Sequence, residues 1–254
     1  MIDLHCHILP GVDDGAKDII YALAMAKVAE QEGVTTIVAT PHHQNGVFIN
    51  EKQLIQEKVN ELNARLKEEG INVNILPGQE CRMYGELLED YDLGKIQTVA
   101  DSKYVLVEFP SAQVPRYAMQ MLYDIQLKGL TPVIVHPERN QVFMKKPDML
   151  YQFVKNGSLT QVTAGSIAGT FGKKIKKFSL DMIEANLTHV IASDAHNTTN
   201  RNFHLQLAYD EVQQEFGENM VYFFRENAEI VVENTHVMIE PPERIKEKKF
   251  FGLF

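Results

Sequence analysis

The amino-acid sequence predicts an α/β protein with a parallel sheet, and three observations lead to that class. Short β-branched segments alternate with amphipathic helical segments about seven times along the chain. A glycine ends several of the predicted helices, and no linker, sequence repeat or low-complexity tract breaks the alternation. The even repetition favours a closed, TIM-like (β/α) barrel over an open sheet. We therefore expect one domain that spans residues 1–254.

The predicted elements follow one another from the first residue of the chain. The strands are short runs rich in valine, isoleucine and threonine. They cover residues 1–4, 34–39, 71–76, 104–107, 131–135, 160–163 and 189–192. The helices have apolar residues at three- and four-residue intervals. They cover residues 18–32, 51–69, 117–128, 149–156, 173–186, 203–216 and 220–229, whereas 86–97 fits either a helix or an irregular segment.

Composition and charge narrow the class of protein. A hydrophobic content of 44% and a charged content of 23% are ordinary for a globular enzyme. No apolar run approaches the roughly 18–20 residues of a membrane helix. The N-terminus also lacks the cationic and apolar regions of a signal peptide, so we expect a cytoplasmic protein. The net charge of −9 argues against broad nucleic-acid binding, which requires a basic surface.

Histidines or acidic residues follow almost every predicted strand. His5 and His7 stand at the end of the first strand, and strand alternation puts both side chains on the same face. In a parallel barrel the carboxyl ends of the strands form one face, where sites are built. The residues that this rule brings together are His5, His7, His42, His43, Glu80, Glu108, His136, Asp194 and His196, with Asp14 on the first loop.

This set of side chains predicts a metal site. A single histidine after a strand is usually a structural or surface residue, but six of the seven predicted strands share the feature, which chance explains poorly. Histidine and carboxylate ligands without thiolate suit manganese, iron or zinc. The ligands outnumber what one ion uses, so we expect two or three ions bridged by carboxylate.

Five motifs resemble those of the polymerase-and-histidinol-phosphatase (PHP) superfamily, whose fold is a distorted (β/α)7 barrel with a trinuclear metal centre. The motifs are HCHILPGVDDG at 5–15, ATPHH at 39–43, LPGQE at 76–80, VHPERN at 135–140 and SDAH at 193–196. Together they are most similar to the manganese-dependent bacterial protein-tyrosine phosphatases of Gram-positive capsule and exopolysaccharide loci. The similarity covers nearly the whole chain.

The resemblance implies a role for each candidate residue. Three metal positions would be formed by His5, His7 and Asp194, by Glu80, Glu108 and His136, and by Asp14, His42 and His196, with Glu80 bridging the first two. Mn²⁺ is the expected ion, with Fe, Zn, Mg or Co as substitutes. Arg139 and Arg201 match the arginines that clamp phosphate. His43 is interpreted as a neighbour of the ligands and not as a ligand.

The implied reaction is hydrolysis of phosphotyrosine (EC 3.1.3.48), a class of reaction that is extremely slow without a catalyst. Metal ions lower the pKa of bound water from about 15.7 toward 7 and neutralise phosphoryl charge. We expect a metal-bridging hydroxide to attack phosphorus in line, without a phosphoenzyme. The proton source for the leaving phenolate stays open.

The two cysteines do not fit the alternative, cysteine-dependent mechanism. Tyrosine phosphatases of that kind use C-x5-R, in which an arginine stands six places after the nucleophile. Six places after Cys6 is Val12, and six places after Cys81 is Leu87. Two cysteines are also too few for a disulfide framework. Cys6 is therefore interpreted as a small residue that fills space between two ligands.

Two other functions remain open on the sequence alone. The first is a phosphatase for histidinol phosphate or another small phosphomonoester, since one metal centre serves both substrates. The second is a non-catalytic regulatory module with a structural metal, which the surplus of ligands and the two arginines argue against. The expected substrates are phosphotyrosine proteins, above all a membrane-associated bacterial tyrosine kinase. An oligomer is compatible with the sequence.

Several residues outside the motifs are candidates for substrate contacts. Phe109, Phe143 and Phe171 either flank an aromatic substrate or belong to the core. Arg116 and Tyr117 either line a substrate rim or pack at the surface. The tail at about 240–254 mixes cations and aromatic residues. It is either an ordinary terminal segment or a weak dock for a membrane-bound kinase or an anionic membrane surface.

Overall fold

Parallel strands form the centre of the molecule, which confirms the predicted α/β class. The structure is a computed structural model and describes residues 1–246. Each strand follows soon after a turn or helix and is short. The strands are β1 (Ile2–Cys6), β2 (Thr36–Ala39), β3 (His42–His43), β4 (Asn74–Pro77), β5 (Glu80–Arg82), β6 (Tyr104–Glu108), β7 (Thr131–Val135), β8 (Leu159–Thr163) and β9 (Val190–Ala192).

The strands hydrogen-bond as two parallel sheets, in the orders β1-β2-β4 and β3-β5-β6-β7-β8-β9. The sequence predicts one strand where β2 and β3 stand, and again where β4 and β5 stand. Pro41, which has no N–H to donate, interrupts the first pair. Gly78 interrupts the second, where a Cβ atom would lie 2.6 Å from a Val38 methyl group. The short strands β3 and β5 then pair with each other, so that His42 stands opposite Glu80.

The first and last strands meet through a single bridge. Cys6 and Ala195 form an isolated parallel bridge, in which the His7 N–H donates to Ala195 O at 2.9 Å. The Asp194 N–H donates to His5 O at 2.8 Å. These bonds place the segment after β9 beside the end of β1, although the two share no continuous ladder in the described residues.

Helices connect the strands and pack against the sheets. They are α1 (Ile19–Gln31), α2 (Lys52–Glu68), α3 (Leu87–Asp92), α4 (Ala118–Leu127), α5 (Gln141–Lys145), α6 (Pro147–Lys155), α7 (Ala164–Ala168), α8 (Lys173–Glu184), α9 (Leu205–Phe216) and α10 (Glu218–Val232), with 3-10 turns at Val99–Asp101 and Pro137–Arg139. The predicted helices agree with these bounds to within a few residues. The sequence missed α5 and α7, because five residues are too few to show a helical period. Within residues 1–246, the helices all fall short of the length and apolar character that crossing a membrane requires.

Both faces of the strands are buried, which is typical of parallel sheets. Val105 and Val107 of β6 belong to the cluster that packs beneath the helices. Leu106, between them, points the other way and joins a second cluster, with Val133 from the adjacent β7 and Leu4 from β1 in the other sheet. This two-sided burial explains why the strands read as continuous apolar runs.

The C-terminal segment runs back along the described body. The Tyr104 hydroxyl donates to Thr235 O at 2.6 Å, and the Glu243 N–H donates to Ala185 O at 2.8 Å. Arg244 forms an ion pair with Asp148. Residues 247–254, which make up most of the predicted basic and aromatic tail, lie outside the described residues, so the docking hypothesis stays a prediction.

Asn227 fixes this segment to the sheet and provides a test of the fold. Its buried amide donates to His189 O and Met238 O and accepts from the Met238 N–H at 2.8–3.0 Å. Asn227→Ala leaves these backbone groups without partners, so we expect the free energy of unfolding to fall by about 2–3 kcal/mol. Urea denaturation measures this. The exposed neighbour variant Glu226→Ala should stay within about 0.5 kcal/mol, and an equal loss in both variants would contradict the assignment.

Candidate metal centre

The ends of β1, β5 and the segment after β9 bring four predicted ligands together. His5 Nε2 and His7 Nε2 lie 3.3 Å apart. Glu80 Oε2 lies 3.5 Å from the first nitrogen and 3.3 Å from the second. Asp194 Oδ1 lies 3.6 and 3.4 Å from the same two atoms. All four side chains are buried, so two imidazoles and two carboxylates share one enclosed point.

A second group shares Glu80 with the first. His136 Nε2 lies 2.7 Å from Glu80 Oε1, and His42 Nδ1 lies 2.7 Å from Glu80 Oε2. Glu108 Oε2 lies 4.0 Å from His42 Nδ1. The donor atoms of His42, Glu80 and Glu108 lie within 4.8 Å of one another. Glu80 therefore contacts histidines on two sides, as a bridging carboxylate would.

The third group lies under the loop after β1. Asp14 Oδ1 is 3.4 Å from His42 Nε2 and 3.4 Å from His196 Nε2. Donor atoms of His7, Asp14, His42 and His196 lie within 4.8 Å of one another. The structure thus brings together all nine residues that the sequence predicts as ligands. His43 lies apart from these groups, with its buried ring 6.1 Å from that of Tyr84.

Hydrogen bonds on the outer ring nitrogens orient three of the histidines toward the centre. Nδ1 of His5 donates to Gln161 Oε1 at 2.9 Å, and Nδ1 of His7 donates to Asp13 Oδ2 at 2.7 Å. Nδ1 of His196 donates to Asp194 O at 2.9 Å. Each bond fixes the proton on Nδ1 and leaves Nε2 with a free lone pair. Metal-ligating histidines are usually held in this way.

Buried atoms without partners also fit a cation. Among residues 1–246, Glu80 Oε2, His42 Nδ1 and His196 Nε2 are buried without a hydrogen bond of acceptable geometry. Native structures rarely leave buried polar atoms unpaired. A divalent cation would satisfy all three atoms, and the histidine and carboxylate donors are those that manganese, iron or zinc accept.

The local charges favour ionised carboxylates. Burial alone would raise the pKa of Asp194, but the charge of Arg139 and a hydrogen bond from His7 hold it well below its usual range. Burial likewise opposes ionisation of Glu80, but the charges of His5 and His42 keep its pKa well below normal. Glu108 differs, because burial and the charge of Glu80 raise its pKa to about 7.

The histidines divide into two kinds. Burial lowers the pKa of His136 and His196 to about 4, with further lowering by Arg139 and His7 respectively, so both rings are neutral, as ligands must be. Burial also acts to lower the pKa of His7 and His42, but Asp13 and Glu80 outweigh it and raise both, that of His42 to about 9. A bound cation would displace protons from these two rings.

Two arginines border the metal-ligand groups. Arg139 Nη2 donates to Asp194 Oδ2 at 2.5 Å. Arg201 Nη2 donates to both oxygens of Asp194, at 3.2 and 3.1 Å. Both arginines line a cavity of about 260 Å³, together with His42, Glu108, His136 and the rings of Phe109 and Phe143. The cavity therefore places two cationic donors beside the candidate ligands, over an apolar core.

The sequence of residues 1–236 matches the family model described as capsular polysaccharide synthesis, CpsB/CapC. The chain belongs to the CpsB/CapC family. It is 49% identical to the tyrosine-protein phosphatase YwqE of Bacillus subtilis over the full length of both chains. It is 32% identical to the tyrosine-protein phosphatase CpsB of Streptococcus pneumoniae, over 85% of this chain and 91% of CpsB.

A crystal structure of YwqE has the same fold as this CpsB/CapC member. It superposes with a TM-score of 0.95 and covers 97% of this chain and 100% of the YwqE chain. YwqE was described there, with pneumococcal CpsB, as a unique metal-dependent tyrosine phosphatase. The family resemblance predicted from the motifs is therefore confirmed.

Sequence reasoning missed the residues that hold this CpsB/CapC centre in place. Asp13 accepts from the His7 ring and, at 3.2 Å, from the His42 N–H. Its loop passes so close to His7 that a Cβ on Gly15 would lie 2.0 Å from His7 O. Gln161 of β8 orients His5, although that strand supplies no predicted ligand. The only sequence signal for Asp13 was that it is an acidic residue directly before the predicted ligand Asp14.

Arg82 and Asp3 form the remaining missed contacts. Arg82 donates to both oxygens of Glu108, at 2.8 and 3.1 Å, in a paired geometry that fixes the carboxylate plane. Asp3 accepts from the Ser193 N–H at 2.8 Å and from the Ser193 hydroxyl at 2.5 Å. Asp3 thereby ties β1 to the residue before Asp194. Arg82 ends β5, a strand that the sequence did not predict, and Asp3 lies inside β1.

Asp13 can be tested without reference to catalysis. Asp13→Ala removes the acceptor that orients His7, so we expect the affinity for Mn²⁺ to fall by about 10–100-fold. Equilibrium dialysis with metal analysis measures this affinity directly. Asp13→Asn keeps an acceptor oxygen but not the charge, so its affinity for Mn²⁺ should lie between those of the wild type and Asp13→Ala.

Asp18→Ala is the matched control for this test. Asp18 caps α1 by accepting from the N–H groups of Ile20 and Tyr21. Its loss should cost about 1 kcal/mol of stability and leave Mn²⁺ affinity unchanged. Wild-type affinity in Asp13→Ala would show that Asp13 does not support the site.

Proposed function

We propose that this chain is a metal-dependent protein-tyrosine phosphatase (EC 3.1.3.48) that acts on phosphotyrosine in bacterial proteins. The observation that carries the proposal is one cavity where two arginines meet three groups of metal-binding side chains. Membership of a family whose members YwqE and CpsB are named tyrosine phosphatases supports the same reaction.

The proposed centre holds three ions, with Mn²⁺ as the expected metal. The three groups described above supply the ligands: His5, His7 and Asp194; Glu80, Glu108 and His136; and Asp14, His42 and His196. We further propose that residues 1–254 form one PHP-type domain, with the strands arranged as a distorted (β/α)7 barrel. The Cys6–Ala195 bridge between the first and last strands supports this arrangement.

Each residue of the cavity has a defined task in the proposed reaction. Bound divalent ions would lower the pKa of a water nucleophile and offset phosphoryl charge. Arg139 and Arg201 bind phosphoryl oxygens through paired, planar donors. Phe109 and Phe143 border the cavity from the core, where their rings pack on each other and on Phe153 with 4% and 0% exposure. Phenolate, with a pKa near 10, leaves without a strong acid.

Neither cysteine is placed to act as a nucleophile. Cys6 and Cys81 have no solvent-exposed surface. Burial raises the pKa of both thiols, that of Cys6 with the added charges of Asp3 and Asp194. A neutral, enclosed thiol cannot attack a phosphate monoester. The nucleophile is therefore water, and the reaction passes through no phosphocysteine.

The relatives favour phosphotyrosine over histidinol phosphate as the substrate. YwqE and CpsB, with which the chain shares 49% and 32% identity, are named tyrosine-protein phosphatases. The natural substrates are phosphotyrosine proteins in the cytoplasm, above all a membrane-associated tyrosine kinase of a capsule or exopolysaccharide system.

Metal removal tests the mechanism. EDTA should abolish hydrolysis of p-nitrophenyl phosphate and of a phosphotyrosine peptide, and added Mn²⁺ should restore both, because the ions supply the activated water. Cys6→Ser should keep most of the activity. Full activity in excess chelator, or complete loss in Cys6→Ser with normal metal content, would contradict the mechanism.

Lysine substitutions test the arginines. Arg139→Lys and Arg201→Lys keep the charge but lose the planar pair of donors, so kcat/KM should fall at least about 10-fold, or about 1.4 kcal/mol. Inhibition by inorganic phosphate should weaken in parallel. Arg244→Lys is the control, since Arg244 pairs with Asp148 at an exposed position. Unchanged phosphate inhibition in both cavity variants would exclude the proposed clamp.

A further inference from the structure

Four of the loops near the cavity have a charge opposite to that of the whole chain. Residues 44–50, 110–117, 169–174 and 197–202, here called the rim loops, follow β3, β6, α7 and β9. They contain no aspartate or glutamate and four cations, namely Arg116, Lys173, Lys174 and Arg201. The chain as a whole has 34 acidic and 25 basic residues. On the same side, Asp13 and Asp14 belong to the metal centre and Glu86 stands before α3.

Lys173 and Lys174 follow closely after a residue that contacts Arg139. The guanidinium carbon of Arg139 lies 5.4 Å from the ring centre of Phe171. Lys173, two residues later, begins α8, which packs against the Pro137–Arg139 turn. The chain path therefore places the start of α8, which carries both lysines, near the turn that carries the arginine.

The charges of these two lysines are available to a partner. Lys176 and Lys177, one turn further along α8, form ion pairs with Glu211 and Asp181. Lys173 and Lys174 are exposed and form no ion pair with any residue of 1–246. An exposed, unpaired cation adds to the local potential, which attracts anionic ligands.

Arg116 extends the same potential to a second wall. Its loop is held by Asn140, whose amide donates to Pro110 O at 2.9 Å and to Gln113 O at 3.2 Å. Ser111 of this loop lines the cavity together with Arg139. Arg116 is exposed and lacks an ion-pair partner in the described part of the chain. Cations thus flank the cavity on the α8 side and on the loop 110–117 side.

We propose that the rim loops select an anionic peptide segment around the phosphotyrosine, with Lys173, Lys174 and Arg116 as the specificity-determining residues. The inference rests on the proposed phosphatase function and adds the class of protein substrate. The anionic groups are flanking carboxylates or a second phosphate. Long-range attraction of this kind raises the rate of encounter and is screened beyond about 8–10 Å at physiological salt.

Three phosphotyrosine peptides of equal length test this inference with the Mn²⁺-loaded full chain. One has neutral flanks, one has aspartate and glutamate flanks, and one has neutral flanks with a second phosphotyrosine. The measured quantities are kcat and KM at low and high salt, with p-nitrophenyl phosphate as a substrate that lacks flanks. The variants are Lys173→Glu/Lys174→Glu and Arg116→Glu.

The matched control is Lys27→Glu/Lys67→Glu, which makes the same change in net charge as the double rim variant. Both control lysines are exposed, Lys27 on α1 and Lys67 in the last turn of α2. We expect wild-type kcat/KM to be about 5–10-fold higher for the anionic peptides, mainly through KM, and this preference to shrink at high salt. The rim variants should lose the preference, whereas turnover of p-nitrophenyl phosphate and Mn²⁺ content should not change.

The remaining outcomes distinguish the two kinds of anionic group, and they distinguish failure of this inference from failure of the proposed function. A preference for both anionic peptides assigns the rim to negative charge in general, and a preference for the doubly phosphorylated peptide alone assigns it to a second phosphate. Equal kcat/KM for all three peptides, or an equal loss in the control variant, overturns the inference while the phosphatase stands. Absence of turnover of every substrate by the wild type overturns the proposed function, and the inference with it.

Discussion

The contact between β1 and the segment after β9 is the constraint on which the site depends. It joins His5 and His7 at the start of the chain to Asp194, and so brings two imidazoles to a carboxylate from the far end of the sequence. Asp3 supports it by accepting two hydrogen bonds from Ser193 without exposure to solvent. Burial raises the pKa of Asp3 to about 6 in spite of these bonds. Without it, the first and third groups of ligands would separate.

Shared carboxylates make so many buried charges compatible with a folded chain. An isolated carboxylate in a protein interior is strongly destabilising. Glu80 lies against His5, His7, His42 and His136, and Asp194 lies against Arg139 and Arg201 as well as two imidazoles. Each carboxylate therefore contacts several side chains that are either positively charged arginines or histidines, which can gain a proton. The same arrangement keeps the carboxylates ionised, which cation binding requires.

The sequence predicted the residues of the centre better than the framework that holds them. A strand pattern shows which side chain stands at a carboxyl end, so Glu80 and His136 could be named from position alone, whereas His42 was chosen over His43 with the family resemblance in hand. It does not show which acceptor meets the outer nitrogen of a histidine, and Asp13 and Gln161 were therefore missed. The sequence also failed to predict β3 and β5, the separate strands that follow the breaks at Pro41 and Gly78. These strands have two and three residues, too few to show a pattern. Arg139 and Arg201 were predicted to bind phosphate, but the sequence did not predict that both contact Asp194.

Arg139 is the residue through which the buried centre and the surface meet. On one side it donates to Asp194, and on the other its guanidinium lies over the Phe171 ring, two residues before the exposed Lys173. Interactions inside the cavity act at short range and are poorly screened, so they decide whether phosphate ester hydrolysis occurs at all. Interactions at the rim are screened and individually weak, so they act on encounter and on the choice among substrates. Changes on the two sides of this arginine should therefore separate in kinetics, with kcat governed by the interior and the salt-dependent part of KM by the rim.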